Sequence, residues 1–490
     1  MSFDLVLFGG TGDLAWRKLL PALFQAHRHG TLPAEGRIIG VARDALDEAQ
    51  YRDLIASRLA QVEGEKRPSA EEFARFAQHL HYLRMDLSQA DDYQRLADLL
   101  QRRGADTAVM YLATAPALFT TVCEQLGAAG LATPHTRVVL EKPLGHDLAS
   151  NRAINAAVRS VFEERQIFRI DHYLGKPSVQ NLLALRFGNV LFEPLWRRET
   201  VASIEITIAE QLGVEKRGAF YDGTGALRDM VQNHALQLLC AIGMEPPINA
   251  HADAIRDEKL KVLRALKPWT AETLARDVVR GQYAAGQLAG QPVPGYVQEP
   301  GVPDGSTTET FVALRTEIAN WRWAGVPFYI RTGKRLAAHE GHIAVNFHQA
   351  PHAIYRTPVG AANRLVIHLQ PRDGLALHLF AAGQNQRAPA SAMQTLSPVQ
   401  LDLDFDQRFG QERVGAYERL LLDVIAGRLN LFVRSDEQEA AWRWVEPIHH
   451  HWREADARGE GPRPYAAGTW GPSAASALVA RSGHSWIEET

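Results

Sequence analysis

The stretch LFGGTGDLAWRKLLPALF, residues 7–24, places three glycines within four positions, directly after an apolar run and directly before a helical pattern. Its core, Gly10-Thr11-Gly12-Asp13-Leu14-Ala15, matches G-x-G-x-x-G/A, in which glycines allow a tight turn and a close approach of the backbone to a pyrophosphate. Amide groups at the start of the next helix would face those phosphates. A tight turn without a ligand is the alternative. The pattern predicts coenzyme contacts from Gly9, Gly10, Thr11, Gly12, Asp13 and Leu14.

Strand and helix patterns alternate over the first 170 residues. Short apolar runs separated by amphipathic stretches are typical of parallel sheets covered by helices. The predicted strands span residues 4–8, 37–43, 80–87, 107–114, 136–143 and 167–171. We therefore predict a doubly wound parallel sheet, a Rossmann domain, over residues 1–175.

The pattern changes after about residue 200, where apolar and polar residues alternate strictly, as is typical of antiparallel strands. These segments span residues 202–210, 309–318, 341–348, 364–371 and 375–382, and helices are predicted over 222–243, 256–266, 414–427 and 436–455. We predict a second domain over residues 176–490, a large antiparallel sheet covered by helices, so that the fold class is α/β plus α+β. The Gly- and Pro-rich segment 281–305 is predicted to be a long loop.

The composition favours a cytoplasmic enzyme. The chain of 490 residues has a net charge of −3, so no strong basic field favours a nucleic-acid partner. No apolar run reaches the roughly 18 residues that a membrane span needs. Cys123 and Cys240 have no metal-type spacing and fit a reducing compartment. Neighbouring helical residues point about 100° apart, so His449, His450 and His451 do not converge on one ion, and we expect no metal.

The end of the second predicted strand decides which dinucleotide binds. An acid there binds the ribose 2′-hydroxyl of NAD, whereas an arginine accommodates the 2′-phosphate of NADP. Here Arg43 is followed by Asp44. The guanidinium can hold a phosphate by charge-assisted hydrogen bonds, and Asp44 weakens that preference if it points the same way. The pair favours NADP with NAD use possible, and a solvated strand end is the alternative for Arg43.

Two further strand ends carry polar residues at the edge where parallel sheets bind ligands. Glu141-Lys142-Pro143 ends one strand, and Asp171-His172-Tyr173-Leu174-Gly175-Lys176 ends another. A His, a Tyr hydroxyl and a Lys within five residues can hold a phosphoryl group, because they combine a point charge with directed donors. An ordinary polar turn is the alternative.

A histidine and a glutamate of the second half occupy positions that point toward a core or a cleft. His234 shares a helix face with Leu227, Met230 and Val231. Such a histidine is either a hydrogen-bonded core residue or a functional group. Glu210 ends its strand in the same parity as the strand's isoleucines. A buried carboxylate needs a partner, which a polyhydroxylated ligand would provide.

Five segments together resemble the glucose-6-phosphate dehydrogenase family: GGTGDLA (9–15), EKPLG (141–145), RIDHYLGK (169–176), RDMVQNH (228–234) and IRTGK (330–334). They lie in the family's order and span nearly the whole chain. The resemblance implies a Rossmann domain, a C-terminal β+α domain and a homodimer or homotetramer. It also implies oxidation of glucose 6-phosphate at C1 to a lactone, the first step of the oxidative pentose phosphate pathway, with hydride transfer to NADP.

The resemblance assigns roles residue by residue. It implies that His234 is the base and that Asp171 pairs with it, and the chemistry agrees, because a carboxylate behind a neutral imidazole fixes its tautomer. The implied phosphate ligands are His172, Tyr173 and Lys176, and the implied sugar contacts are Lys18, Lys142, Glu210, Asp229 and Lys334. Lys142, Asp86 and Leu87 are the implied coenzyme contacts.

Two positions depart from the family pattern. Pro177 stands where a Glu usually follows DHYLGK, and proline suits the first turn of a helix. His339 stands where the family usually has a further Lys or Arg near the substrate. Because histidine is mostly uncharged above neutral pH, we expect a weaker and pH-sensitive KM for the sugar phosphate.

Two other functions stay open on sequence grounds. A sugar oxidoreductase of the glucose–fructose oxidoreductase type also joins a Rossmann domain to an open sheet and carries EKP, but it lacks DHYLGK and RTGK. A dinucleotide-sensing protein without turnover would need no base, and the Asp171 and His234 assignments argue against it.

Overall fold

Apolar runs bounded by turn residues form the strands of this chain. The computed structural model describes residues 1–62, 64, 67–352, 354–355, 362–382, 396–410 and 414–487. The strands are β1 (Phe3–Phe8), β2 (Gly36–Ala42), β3 (Leu80–Arg84), β4 (Thr107–Leu112), β5 (Thr136–Leu140), β6 (Ile167–Ile170), β7 (Val201–Ala209), β8 (Val278–Ala284), β9 (Gly286–Leu288), β10 (Gln291–Val293), β11 (Phe311–Glu317), β12 (Pro327–Gly333), β13 (Glu340–Phe347), β14 (Arg364–Gln370), β15 (Gly374–Ala382), β16 (Leu396–Asp404), β17 (Phe432–Val433) and β18 (Arg463–Ala466).

The helices follow amphipathic stretches, several of which begin at a side-chain cap. They are α1 (Leu20–Arg28), α2 (Glu48–Leu59), α3 (Ala70–Phe76), α4 (Ala90–Gln101), α5 (Phe119–Ala128), α6 (Leu148–Arg159), α7 (Pro177–Gly188), α8 (Gly218–Asp222), α9 (Leu236–Gly243), α10 (Ala252–Ala265), α11 (Ala271–Asp277), α12 (Phe405–Phe409), α13 (Ala416–Ala426), α14 (Ser435–Ala457) and α15 (Ser473–Ala480). Two π-helices precede α1 and α9, at Ala15–Leu19 and Leu227–Ala235. Within the described part of the chain, no helix has the length and apolar character that crossing a membrane requires.

The chain forms two compact units. The first unit comprises Met1–Lys176, Pro247–Arg256 and Val414–Glu439, and the second comprises Pro177–Pro246, Asp257–Arg413 and Ala440–Thr490. The sequence predicts a single division after residue 175, and the domain boundary stays a prediction. The segment Val414–Glu439 groups with the first unit because β17 pairs with β6 and α13 packs on α1.

The first unit contains a seven-stranded sheet in the order β17-β6-β5-β4-β1-β2-β3. Strands β1 to β6 pair in parallel, and β17 adds an antiparallel edge strand that the sequence pattern did not predict. The order 6-5-4-1-2-3 is that of doubly wound dinucleotide-binding sheets. Residues such as Val6, Ile39 and Met110 lie in the core on one face of the sheet. The predicted Rossmann fold is confirmed.

The second unit contains a nine-stranded sheet in the order β16-β15-β14-β13-β7-β12-β11-β8-β18. It is mostly antiparallel, as predicted, but β7 pairs with β12 and β8 with β18 in parallel. The sequence pattern did not predict β8, β12, β16 or β18. Strand β7 is buried on both faces, since Glu205 and Thr207 are as inaccessible as the isoleucines between them. The strict alternation in β7 therefore separates an apolar face from a polar face, and both are buried.

The predicted loop 281–305 contains a hairpin and is corrected in part. Strands β9 and β10 pair across a two-residue turn at Ala289 and Gly290, with φ of 48° and 77°. Positive φ at both central residues is the turn geometry that matches the twist of a hairpin. The glycine and proline content predicted turns, but it did not indicate the short strands between them.

Candidate functional site

The carboxyl ends of the parallel strands gather the predicted coenzyme residues at one edge of the first sheet, because such strands all point the same way. The glycine-rich loop follows β1, Arg43 follows β2, and Lys142 follows β5. Asp86 and Leu87 follow β3, where Asp86 accepts hydrogen bonds from the amide (3.0 Å) and hydroxyl (2.8 Å) of Ser88. These bonds lower the pKa of Asp86, so it presents a carboxylate.

The glycine-rich loop is held tightly on strand β2. The amides of Gly9 and Gly10 both donate to the carbonyl of Val41, at 2.9 and 3.0 Å. Gly9 has a φ of +87°, and a Cβ at Gly10 would lie 2.6 Å from Gly40 Cα. A glycine at position 10 is therefore required for packing against β2.

The π-helix Ala15–Leu19 begins directly after the loop. Among the described residues, no side chain caps its start, so the geometry leaves the first amides suited to an anion such as a pyrophosphate. Lys18 is exposed on this π-helix. The Asp13 carboxylate pairs with Arg17 at 2.7 Å, one turn along. The loop therefore fits a dinucleotide, with Asp13 supporting its own helix.

Asp44 lies against the glycine-rich loop, and it is absent from the residues predicted to bind coenzyme. Its Oδ2 accepts a hydrogen bond from the Thr11 hydroxyl at 2.7 Å. The Arg43 side chain is exposed beside it. The Arg84 Nε donates to the Arg43 carbonyl at 3.3 Å, which brings a second guanidinium to this strand end. Asp44, Arg43 and Arg84 therefore all lie at the end of β2, where the ribose 2′-position is expected.

The segment DHYLGK forms a compact turn after β6. Asp171 is 2% exposed and accepts a hydrogen bond from the Tyr173 amide at 3.0 Å. The Lys176 Nζ lies 3.9 Å from the centroid of the Tyr173 ring. The His172 ring stacks on Tyr417 of α13, with centroids 6.0 Å apart and planes at 14°. The turn therefore contains all three predicted phosphate ligands, His172, Tyr173 and Lys176.

Tyr417 also connects this turn to the EKP segment. Its side chain hydrogen-bonds the Glu141 carboxylate, which accepts a further bond from the Tyr111 hydroxyl at 2.6 Å. Burial raises the pKa of Glu141, and the two phenols partly offset that shift. The peptide bond between Lys142 and Pro143 is cis. No sequence pattern indicated Tyr417, since it lies far along the chain from both segments that it contacts.

In the second unit, Glu210 and Lys334 form an ion pair. Their Oε2 and Nζ atoms lie 2.5 Å apart, with 30% and 15% of the side chains exposed. The parallel pairing of β7 and β12 ends with Ala209 opposite Gly333, which places the next residues side by side. The Glu210 amide donates to the Gly333 carbonyl and the Leu336 amide to the Glu210 carbonyl, both at 3.0 Å. The partner of the predicted buried carboxylate is therefore a lysine of the same chain.

Tyr221 lies beside this pair and was missed by the sequence reasoning. The Lys334 Nζ is 5.1 Å from its ring centroid. Burial raises the pKa of Tyr221 well above its usual value, and the carboxylates of Asp229 and Glu309 add to the shift. The phenol therefore remains a neutral hydrogen-bond donor next to three carboxylates and a lysine.

His234 and Asp229 lie on the second π-helix, Leu227–Ala235, which packs against β12. His234 is fully buried, as its face of the helix predicts, and Asp229 is half-buried. Residues five apart point about 140° apart on an α-helix. The i→i+5 hydrogen bonds of a π-helix bring them to neighbouring positions on one face. The helix type therefore aligns Asp229 with His234.

The remaining histidines discussed from the sequence lie on other segments. His339 is exposed in the segment between β12 and β13. His449 is half-buried, and His450 is exposed and lies 3.2 Å from Glu454. Among the described residues, no three His, Cys, Asp or Glu side chains are grouped so as to hold a metal. Asp171 belongs to the first unit and His234 to the second, so their pairing stays a prediction.

The first unit is a doubly wound sheet with a glycine-rich loop, and the second is a mixed sheet against which the helix with the buried His234 packs. Together they define an oxidoreductase that uses a nicotinamide dinucleotide. Residues 6–181 match the family model described as "Glucose-6-phosphate dehydrogenase, NAD binding domain". Residues 183–487 match "Glucose-6-phosphate dehydrogenase, C-terminal domain". The chain belongs to the glucose-6-phosphate dehydrogenase family.

Relatives match over the whole length. The chain is 49% identical to the glucose-6-phosphate 1-dehydrogenase of Mycolicibacterium smegmatis, over 99% of this chain and 97% of the relative. It is 47% identical to that of Rhizobium meliloti, with the same coverage. A solved structure titled "Glucose-6-phosphate dehydrogenase in complex with its substrate glucose-6-phosphate" is 31% identical, with a TM-score of 0.89 over 99% of both chains.

Proposed function

We propose that the chain oxidises glucose 6-phosphate at C1 to 6-phosphoglucono-1,5-lactone, with NADP preferred over NAD and His234 as the base. The observation that carries the residue assignment is the full burial of His234 on a π-helix that also carries Asp229. A fully buried imidazole on a helix that also carries a carboxylate needs a reason, and general base catalysis supplies one.

His234 accepts the proton of the C1 hydroxyl as the hydride leaves that carbon. An imidazole is suited to this step because it exchanges a proton near physiological pH. The proposal pairs it with Asp171, which would hold the ring in the reactive tautomer and stabilise the imidazolium. The Tyr173 amide supports this role, because its 3.0 Å hydrogen bond fixes the Asp171 carboxylate.

His172, Tyr173 and Lys176 hold the 6-phosphate in this proposal. Lys176 contributes a point charge, and the imidazole and phenol contribute directed hydrogen bonds. The stacking of His172 on Tyr417 and the contact of Lys176 with the Tyr173 ring support a preset arrangement of the three. Ordered side chains lose less entropy on binding.

The sugar hydroxyls are bound by Glu210, Asp229 and Lys334, with Lys18, Lys142 and His339 as further contacts. The Glu210–Lys334 pair supports this role, because it offers both acceptors and donors and remains partly exposed. Hydroxyl groups are at once donors and acceptors, so a carboxylate next to an ammonium group suits a polyol.

A nicotinamide dinucleotide supplies the hydride acceptor when bound. The proposed contacts for it are Gly9, Gly10, Thr11, Gly12, Asp13, Leu14, Arg43, Asp86, Leu87 and Lys142. The exposed Arg43 and the adjacent Arg84 support NADP, since guanidinium groups bind a phosphate as planar forks. Asp44, bonded to Thr11, supports some use of NAD, since a carboxylate there suits a 2′-hydroxyl.

Incubation of the purified full chain with glucose 6-phosphate and NADP, followed at 340 nm, tests the reaction. We expect reduction that depends on both compounds, with slower turnover on free glucose because the phosphate ligands are unused. Equal rates with glucose and glucose 6-phosphate would contradict the phosphate assignment. A glucose–fructose oxidoreductase-type reaction is not favoured, because both family models match along the chain. Binding without turnover would support the sensor alternative.

A homodimer or homotetramer is proposed for the assembly. The edge strand β16 exposes Val399, Leu401 and Leu403 by 39%, 59% and 44%. An exposed apolar edge strand tends to be covered by another chain. Light scattering coupled to size exclusion should give at least twice the chain's mass, and Leu401→Glu should lower it. A monomeric wild type would contradict the proposal.

A cytoplasmic location is proposed as well. Cys123 and Cys240 are both buried and neither forms a disulfide, which suits a reducing compartment. Recovery of the native enzyme in the cytosolic fraction is expected, and recovery from the culture medium would contradict it.

A further inference from the structure

Glu309 is a buried carboxylate that precedes strand β11 and has no part in the reaction described above. It is 6% exposed, and burial raises its pKa. Its Oε1 accepts the Leu227 amide at 2.9 Å. Its own carbonyl accepts the Ala226 amide at 3.0 Å. One residue thus satisfies two successive amides where the second π-helix begins.

The second π-helix depends on this remote partner for its start. Its own N-cap position is Ala226, which offers no side-chain acceptor. Unpaired amides at a buried helix start are costly, and a capping acceptor stabilises the helix by pairing them. Glu309 supplies that acceptor from 82 residues away.

Space for the carboxylate is made by a glycine. Gly225 has a φ of +74°, and a Cβ there would lie 2.4 Å from Glu309 Oε1. A side chain at this position would therefore displace the carboxylate. The turn before the helix and the Glu309 side chain therefore depend on each other for their positions.

The same segment also fixes Lys334. The carbonyl of Thr310, the next residue, accepts the Lys334 amide at 2.9 Å. Residues 309 and 310 therefore connect the start of the His234 helix to the end of the strand that carries Lys334. A shift of Glu309 would move the proposed base relative to the proposed sugar-binding pair.

We propose that Glu309 is a positioning residue that sets the second π-helix, and with it Asp229 and His234, relative to Lys334. The inference rests on the proposed role of His234. Glu309 acts through a hydrogen-bond acceptor and not through its charge, because the groups it holds are backbone amides. Its loss therefore slows the hydride step more than it weakens binding of the sugar phosphate.

The test compares Glu309→Ala and Glu309→Gln in the full-length enzyme. Glutamine keeps an acceptor at the same distance, whereas alanine removes it. We expect Glu309→Ala to lower kcat by roughly 10- to 100-fold, the range that a small misplacement of reacting groups produces. The KM for glucose 6-phosphate should change by less than about threefold, and Glu309→Gln should keep at least about half of the wild-type kcat.

A kinetic isotope effect separates positioning from general destabilisation. With glucose 6-phosphate deuterated at C1, the isotope effect on kcat should rise in Glu309→Ala, because hydride transfer becomes slower than the other steps. Glu205→Ala is the matched control, since Glu205 is another buried carboxylate of this sheet and accepts the Ile487 amide at 3.1 Å. It should lower the melting temperature and leave the isotope effect unchanged.

Two results would overturn the proposed positioning role of Glu309. A normal kcat and isotope effect in folded Glu309→Ala, or equal losses in the Ala and Gln variants, would overturn the proposal. If Glu309→Ala does not fold, Glu309→Asp replaces it, because its shorter side chain draws the acceptor away, and it should turn over more slowly than Glu309→Gln. The variant His234→Asn, measured in parallel, shows whether the assignment of His234 as the base is itself wrong.

Discussion

Lys334 and Glu210 are 124 positions apart in sequence and 2.5 Å apart in space. Each alone is an ordinary charged residue at a strand end. The strand pattern predicted that Glu210 would need a partner, and the family motif predicted a role for Lys334. Their contact could not be predicted, because it depends on a parallel pairing of β7 with β12, and β12 lacks an alternating pattern. Tyr417 and the hydrogen bond between Asp44 and Thr11 were missed for the same reason, since these contacts join remote segments.

The coenzyme preference depends on two neighbouring residues. Arg43→Ala should raise the KM for NADP by about 10- to 100-fold, equivalent to the 1.5–3 kcal/mol of a hydrogen bond to a charged group. The KM for NAD should change far less. Asp44→Asn is the matched control and should lower the KM for NADP, because it removes a negative charge beside the 2′-phosphate. Steady-state kinetics with both coenzymes measures this, and equal effects of Arg43→Ala on both would exclude Arg43.

The exposed His339 gives a second prediction. His339→Lys should lower the KM for glucose 6-phosphate several-fold at pH 8, because a lysine brings a positive charge toward the sugar phosphate. His348→Lys serves as the control, because His348 is also exposed, beyond the far end of β13. An unchanged KM in His339→Lys would place His339 outside the site.

The helices that carry functional residues differ from ordinary α-helices. The sequence predicted helices at both positions from apolar spacing, and both exist. Both helices contain a π-helical segment, at Ala15–Leu19 and at Leu227–Ala235. Apolar spacing could not predict this, because it reports which face is buried and not which amide bonds to which carbonyl. Such segments are rare and occur mostly at functional sites.

Strand β13 carries a histidine whose burial predicts acid sensitivity. His342 is 1% exposed, and burial, then the charge of Arg331, lowers its pKa to about 3. The unfolded chain takes up a proton near pH 6.5, whereas the folded chain does not, so this histidine makes stability fall as pH decreases from 6.5 toward 3.

Denaturation by urea at pH 7 and pH 5 measures the effect. The wild type should lose about 2 kcal/mol more than His342→Gln over this interval, since each pH unit below 6.5 contributes about 1.36 kcal/mol. The opposite contribution of Glu205, whose pKa is raised by burial, is common to both proteins and cancels. Parallel losses in the two proteins would show that His342 is protonated in the folded state.

At the scale of the whole molecule, the sequence predicted the class of both sheets and which parallel strands end in functional residues. It did not predict that Val414–Glu439 returns to the first unit, because the short strand β17 has no pattern beyond two apolar residues. The proposed active-site residues are divided between the two units. His172, Tyr173 and Lys176 belong to the first, and Glu210, Asp229, His234 and Lys334 to the second.

The turnover of His234→Asn tests the central claim most directly. Asparagine keeps a polar side chain of similar reach but cannot accept the hydroxyl proton. With saturating glucose 6-phosphate and NADP, kcat should fall by about 10²- to 10⁴-fold, the contribution of a general base, while both KM values change little. A kcat near that of the wild type would show that another group takes the proton and would contradict the proposed mechanism.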